Sequence, residues 1–352
     1  HKALPRLAVA SGLSAFAQGL GMQVLVTGRL GFSGGNIAQA QLTAGNAVRI
    51  LDNRDPFYDL RLKDATAARL RETAAASGGT VEIIEGDVRD AAQVRDACAG
   101  VDLVYHHAAK AGVRPSVEDP RTYHDVNVTG TLNLLEAARA EEPTRLIIAS
   151  SSSVYGGDQR LLPFSESDPT VPISPYGSTK LAADRYALTY ADVYDLPVVV
   201  LRYFTVYGPR MRPNMAISNF VSRAFAGDAL EIYGDGTQSR DFTYVADVVD
   251  VNMQLADTAA ADGRVLNIGS GDRITIGELA AVIRDAIDPA VPIEHRDAFA
   301  IDAPHTRADT ARAAALLGYG PSHSIREGVE TFIGWFTANR EWYAPLARAA
   351  TE

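Results

Sequence analysis

Two side chains in the segment Tyr176-Gly-Ser-Thr-Lys180 are spaced for proton chemistry. Residues four apart on a helix share a face, so the phenol and the ammonium stand together. A nearby cation draws a tyrosine pKa down from ~10 towards neutrality, which makes a usable base. The same lysine is placed to hold a ribose. Lysine is scarce, with only four in 352 residues, so one at this spacing is informative. Upstream lies Ser150-Ser151-Ser152-Ser153-Val154-Tyr155, at the end of a strand-like run. A hydroxyl there can share the proton on a substrate oxygen, or simply cap a turn.

A second pattern provides for a phosphate. Gly28-x-x-Gly31-x-x-Gly34 follows the strand-like QVLVT and opens a helix-like segment. The tight turn and the close approach of backbone to a pyrophosphate both need glycine, and the helix N-terminus favours the anion. Asp52 ends the next strand about 20 residues on, where a carboxylate accepts both ribose hydroxyls. It also opposes the 2′-phosphate of NADP, so the pattern selects NAD. Arg29, inside the loop, stands within reach of such a phosphate, but the like charge of Asp52 decides for NAD. Asp87, in GDVRD, is placed to contact the adenine or to cap the next helix.

The elements that must position these groups are legible from periodicity. QVLVT, AVRILD, VEIIEGD, DLVYHH, RLIIASS and PVVVLRYF read as buried strands, short β-branched runs bounded by turn residues. Amphipathic stretches such as NIAQAQLTAG and GTLNLLEAARA separate them, and a helix is expected over 176–194. The alternation predicts an α/β fold, a Rossmann-type doubly wound parallel sheet. After Thr205 the pattern loosens into Pro- and Gly-rich segments and shorter helices. We therefore expect an NAD-binding domain over 22–204, a strand near 265–270 returning to it, and a smaller substrate lobe over 205–340. Residues 1–21 read as a tag remnant or a misplaced start.

Bulk properties exclude several partners. The formal net charge is −10, whereas a nucleic-acid partner needs a basic surface. No apolar run is long enough to span a bilayer. The single cysteine, Cys98, allows no internal disulfide and reads as a packed, inert thiol, in keeping with a cytoplasmic protein. His106 and His107 are adjacent on a strand end and point opposite ways, which argues against a metal site.

Taken together, TGxxGFxG, the serine run before VYG, YxxxK, RYFTVYGPR and GDGxxxRDFTYVADV resemble the NAD-dependent nucleotide-sugar epimerase/dehydratase family, from about Met22 to about Trp335. The resemblance implies catalytic roles for Ser151, Tyr176 and Lys180. It places Tyr203 and Phe204 beside the nicotinamide, Arg240 on a UDP diphosphate and Tyr233 beside the uracil. Phe32, Ser33, Asn53, Val88, Ala108 and Ala109 complete the expected cofactor contacts. Dehydratases of the family carry Asp-Glu where Ser152 and Ser153 stand, and UDP-glucuronate decarboxylases carry Glu at the Ser153 position. What remains is epimerisation at C4 through a 4-keto sugar. DNRDPFYDLRLK, AAKAGVRPSVEDP and FTVYGPRMRPNMA are similar to segments of UDP-glucuronate 4-epimerases. Thr205, Ser152 and Ser153 then offer neutral donors to a C5 carboxylate, with Arg212 adding a positive charge near it or near the diphosphate. UDP-glucose or UDP-N-acetylglucosamine is the alternative substrate. A non-enzymatic NAD sensor is disfavoured because Tyr176 and Lys180 both stand. The resemblance also implies a homodimer, since enzymes of this type commonly pair through the helix carrying Tyr176 and the one near 121–140. Ser33, His107 and Lys110 depart from the family pattern, as does Arg29.

Overall fold

The computed structural model of the chain describes residues 21–28, 30–298 and 303–349. The expected N-terminal extension thus falls almost wholly outside the described residues, as does Arg29. The first half runs β1 (Gln23–Thr27), α1 (Phe32–Thr43), β2 (Ala47–Asp52), α2 (Leu60–Ser77), β3 (Thr80–Glu85), α3 (Ala91–Cys98) and β4 (Leu103–His106). It continues with α4 (Pro115–Glu118), α5 (Pro120–His124), α6 (Gly130–Glu141), β5 (Arg145–Ser151), α7 (Pro175–Tyr194) and β6 (Val198–Tyr203). Next come β7 (Thr205–Tyr207), α8 (Ala216–Ala226), β8 (Leu230–Tyr233), β9 (Ser239–Arg240), β10 (Phe242–Tyr244) and α9 (Val245–Ala256). The rest is β11 (Arg264–Ile268), β12 (Ile274–Thr275), α10 (Ile276–Ile287), β13 (Ile293–Arg296), α11 (Ala311–Leu317), α12 (Ile325–Ala338) and α13 (Arg340–Ala349).

Seven strands form one sheet in the order β3-β2-β1-β4-β5-β6-β11, every pair parallel. This is the expected doubly wound sheet. Helices cover both faces, so its central strands are buried along their whole length rather than alternating; all of Val198–Tyr203 is buried. One face packs β1, β2 and β5 under α1, α2 and α9, around Ile37, Leu42, Leu70 and Val248. The other packs α3, α6 and α7 around Val94, Leu134 and Ala187. Strand order reverses between β1 and β4, and a crevice opens there beyond the carboxyl ends of the strands. A separate apolar core joins α8, α10, α12 and α13 through Phe220, Ile283, Phe332, Phe336 and Tyr343. Capping boxes start α10 (Thr275 with Glu278) and α12 (Ser324 with Glu327).

Local differences from the sequence reading have physical causes. The cap of α3 is Asp90, whose carboxylate accepts from Ala92 and Gln93, and not Asp87. A π-helical turn over Asp125–Thr129 joins α5 to α6 and makes one bent path of the helix expected near 121–140. Helix α9 was not foreseen; it lies on the sheet, where Asn252 reaches Tyr203. Cys98 is fully buried, and burial pushes its thiol up to about 12, consistent with an inert packed group. Among the described residues no helix is long and apolar enough to cross a membrane.

His106 shows how tightly the base of the crevice is tied. Thr131 donates its hydroxyl hydrogen to the Asn127 carbonyl at 2.6 Å, so at 3.0 Å it accepts from His106 Nε2. Nδ1 therefore accepts from Thr27 Oγ1 at 2.7 Å. The ring is neutral, its pKa pushed down to about 3 by burial and then by the charge of Lys180. The unfolded chain takes up this proton near ~6.5. Stability should thus fall as pH drops below that value, by up to ~1.4 kcal/mol per pH unit from this group. Urea unfolding between pH 7 and pH 4 should show a shallower decline for His106→Gln than for the wild type; equal slopes would assign the acid sensitivity elsewhere.

Candidate active site

At the end of β1 the chain turns through Gly28 with φ +66°. A Cβ there would lie 2.4 Å from the Ala108 Cα, so only glycine lets the turn rest on the segment after β4. Helix α1 begins with no side-chain cap and no acidic residue in its first turn. Its uncapped amides and positive dipole end face the crevice, which suits a pyrophosphate. A cavity of about 420 Å³ runs from Gly28, Gly31, Phe32, Ser33 and Gly34 past Asp52, Asn53, Val88, Ala108 and Ala109. These residues fit NAD: a bare helix N-terminus for the diphosphate, and a carboxylate at the end of β2 for a ribose.

Asp52 is held firmly. One carboxylate oxygen accepts from Leu30 N at 2.9 Å; the other accepts from Arg54 N and Lys63 Nζ, both at 2.8 Å. Lys63 and Asp52 are both buried. Lys63 escaped the sequence reading, although it ends the quoted run DNRDPFYDLRLK. Asp87 does not line the cavity, whereas its neighbours Gly86 and Val88 do. Its carboxylate is taken up by Arg89 and by Asn53 Nδ2 at 3.0 Å, and the Arg89 hydrogen bonds hold it down at about 2.

The opposite wall carries the serines and Tyr176. Strand β5 delivers Ser151, whose hydroxyl accepts from Ser153 N at 3.2 Å and so caps the short 3₁₀ turn that follows. Ser174 caps α7 by accepting from Gly177 N, and Pro175 fills the first helical position. A Cβ on Gly177 would lie 2.5 Å from the Ser153 carbonyl oxygen. The absence of that carbon lets α7 close on the serine turn, so that Tyr176 and Ser151 line the same cavity. Lys180, one turn on, lines the same cavity and donates to the Ala149 carbonyl at 2.8 Å. Burial pushes its pKa down to about 8, while Asp184 acts the other way.

One expectation needs correction. Tyr176 sits above its ordinary range because burial penalises the phenolate; the Ser151 hydroxyl and then the charge of Arg212 act the other way. The cation acting on the phenol is thus Arg212. The Lys180 ammonium is directed at the strand end.

At the far end, Ser152, Ser153, Thr205 and Arg212 line the cavity with Tyr176, Tyr203 and Phe204. The Tyr203 hydroxyl accepts from Asn252 Nδ2 at 2.8 Å, and its ring stacks on His107 at 5.9 Å. The segment after β2 forms a strap across the opening. Phe57 lies beneath Lys110 at 5.2 Å and Arg212 at 5.6 Å, while Lys110 bonds both Asp55 oxygens at 2.9 Å. Asp55, Phe57 and the role of Lys110 were not predicted. Tyr233 and Arg240 are not brought to this cavity. Tyr233 lies under the Arg114 guanidinium at 4.9 Å, and Arg240 donates to the carbonyls of Ser239 and Pro304. Among the described residues no group of three or more His, Cys, Asp or Glu is placed to hold a metal ion.

Because Arg212 favours the phenolate, Arg212→Gln should raise the pKa of Tyr176 further. NMR of ring-labelled tyrosine against pH reads this directly, and an unmoved titration would leave Arg212 without electrostatic influence on the phenol.

Comparison with known proteins fits this geometry. The model of the NAD dependent epimerase/dehydratase family matches residues 24–269. A UDP-glucuronate 4-epimerase of Thermodesulfobacterium geofontis is 36% identical over 319 residues, spanning 90% of this chain and 97% of its own. A probable UDP-glucuronate 4-epimerase of Rhizobium meliloti is 35% identical over 342 residues, spanning 90% and 98%. The solved UDP-glucuronic acid 4-epimerase of Bacillus cereus, in complex with UDP-glucuronic acid and NAD, matches with a TM-score of 0.83 at 31% identity, over 90% of this chain and 100% of that one. The chain belongs to the NAD-dependent epimerase/dehydratase family.

Proposed function

We propose that the chain inverts C4 of a UDP-sugar, converting UDP-glucuronate to UDP-galacturonate, with NAD as its resident cofactor. The observation that carries this reading is one cavity lined by Tyr176, Ser151, Lys180 and Arg212, with hydroxyls and no carboxylate at Ser152 and Ser153. Without an acid at those positions, neither elimination nor family-type decarboxylation has its catalyst. The relatives named UDP-glucuronate 4-epimerase support the same choice.

In this mechanism Tyr176, as phenolate, takes the proton from the 4-hydroxyl, and the Ser151 hydroxyl bonds the same oxygen. Bound NAD supplies reversible hydride acceptance at C4. Lys180 keeps a positive charge at the proton-transfer end of the cavity. Arg240 and Tyr233 anchor the UDP from the neighbouring lobe, so the 4-keto sugar can turn over without leaving. Tyr176 then returns the proton. Ser152, Ser153 and Thr205 fix the C5 carboxylate through neutral hydrogen bonds; the 4-keto uronate is a β-keto acid, and a fixed carboxylate resists loss of CO₂. Residues 22–204 with β11 bind the cofactor, and 205–340 mainly bind the nucleotide sugar.

The working unit we propose is a homodimer in the cytoplasm. Tyr186, Val193 and Tyr194 expose 41%, 62% and 45% of their surface on α7, a large apolar display for one helix. They lie on the helix that the family resemblance assigns to pairing.

The test is incubation with UDP-glucuronate, and separately with UDP-glucose, read by chromatography without added cofactor. UDP-galacturonate from the first alone is expected. Turnover of UDP-glucose alone would overturn the carboxylate assignment. Tyr176→Phe should lower turnover by roughly 10²–10⁴-fold while NAD stays bound; retained activity would remove Tyr176 as the base.

A further inference from the structure

Tyr203 is held from outside the cavity by a side chain that the reaction as described does not use. It ends β6, lines the cavity and is 8% exposed. Its hydroxyl accepts from Asn252 Nδ2 at 2.8 Å. Asn252 is 0% exposed on α9, whose Val248, Val251 and Leu255 belong to the apolar core over the sheet. A buried amide in such a place is unfavourable unless its polar atoms are bonded. Nδ2 donates twice, to the Tyr203 hydroxyl and to the Val248 carbonyl at 2.7 Å, while Oδ1 has no hydrogen-bond partner among the described residues. The Val248 carbonyl can only accept, so it fixes which end of the amide faces Tyr203. The one bond this side chain makes outside its own helix, among the described residues, is thus the one to Tyr203.

The anchor is itself tied down. Tyr105, from β4, donates its hydroxyl hydrogen to the Asn252 carbonyl at 3.0 Å and accepts from Gln41 Nε2 of α1 at 2.7 Å. Both Tyr105 and Gln41 are fully buried. On the cavity side His107, one of the residues that depart from the family pattern, stacks on the Tyr203 ring, and its Nε2 stands 3.4 Å from the hydroxyl. Burial pushes the Tyr203 phenol well above its ordinary range, so the hydroxyl keeps its hydrogen. Because that hydroxyl accepts from Asn252, its own hydrogen is left for His107. The ring is held on both sides.

We propose that Asn252 is a positioning residue that, through the Tyr203 hydroxyl, fixes the ring against which the nicotinamide of NAD is seated. The proposal rests on the place beside the nicotinamide that the family resemblance gives Tyr203. A ring fixed in advance spares the ligand the ordering of its own seat. The diphosphate and the adenosine ribose are provided for by other groups, the glycine turn and Asp52. The effect of Asn252 is therefore confined to the nicotinamide end, and ADP-ribose, which lacks that ring, does not feel its loss.

The test titrates purified holoenzyme with ADP-ribose and reads the displaced NAD by chromatography after ultrafiltration. The ratio of ADP-ribose to NAD at half displacement compares two ligands on one protein, so a general loosening of the site cancels. Asn252→Leu should lower that ratio by about fivefold, the ordinary worth of one hydrogen bond. Tyr203→Phe should lower it equally, and the double variant no further, because all three lack the same bond. An unshifted ratio in either single variant, or shifts that add in the double variant, would overturn the proposal. If Asn252→Leu does not fold, Tyr203→Phe, which leaves the core amide in place, decides alone: a fivefold fall supports the proposal and an unshifted ratio overturns it. A wild type that neither carries NAD nor takes it up when supplied would remove the NAD reading, and the proposal with it.

Discussion

A buried cation at the edge of the crevice is the constraint on which this structure depends. Lys180 is buried, and burial drives its pKa down to about 8, within reach of physiological pH. Two groups hold the proton on: the Ala149 carbonyl at the end of β5 and the charge of Asp184 one turn along α7. Both sit on elements of the central sheet and its first cover, which have little freedom to relax. The strand end, the helix start and the Gly177 contact that closes them form one rigid corner. Tyr176 and Ser151 occupy that corner.

The rest of the crevice follows a similar economy of charge. The chain has four lysines, and the three in the described residues, Lys63, Lys110 and Lys180, all line the same cavity. Elsewhere arginine carries the basic charge. A compact ammonium on a flexible stem shifts its pKa readily and packs against one or two oxygens, whereas a guanidinium needs a wider fork of acceptors. Lys63 neutralises Asp52 at the proposed ribose end. Lys110 ties the strap through Asp55. Lys180 serves the proposed proton-transfer end. Arg212 is the exception. Half-buried over Phe57, it pulls the phenol towards its ionised form from the side where a sugar carboxylate would lie.

What was legible in the sequence was local or periodic. Strands buried on both faces leave continuous apolar runs, so the six quoted strands of the sheet were found to within a residue or two. The serine run, Tyr176 and Lys180 were legible as neighbours because a strand end and a helical four-residue step place them, whereas the choice of Ser151 within the run came from the family resemblance. What escaped depends on pairing across distance. Lys63 meets Asp52 from α2, Lys110 meets Asp55 from after β4, and Arg202 meets Asp184 from β6. No spacing rule announces such pairs. For Asp87 the capping role did not hold: an acid after a strand can serve several partners, and here Arg89 and Asn53 take its carboxylate while Asp90 caps the helix. Motif position placed Tyr233 and Arg240 with the substrate, yet the main cavity does not include them. They belong to the second lobe, on β8 and β9.

The central claim is that C4 loses and regains its own hydride inside one closed site. The most direct test follows the hydrogen itself. UDP-glucuronate bearing deuterium at C4 is mixed with carbon-13-labelled, deuterium-free substrate, and the UDP-galacturonate formed is read by mass spectrometry. The account predicts that deuterium stays on the molecules that carried it, with none passing to the carbon-13 species or to water. Deuterium lost to solvent, or found on the carbon-13 product, would contradict it.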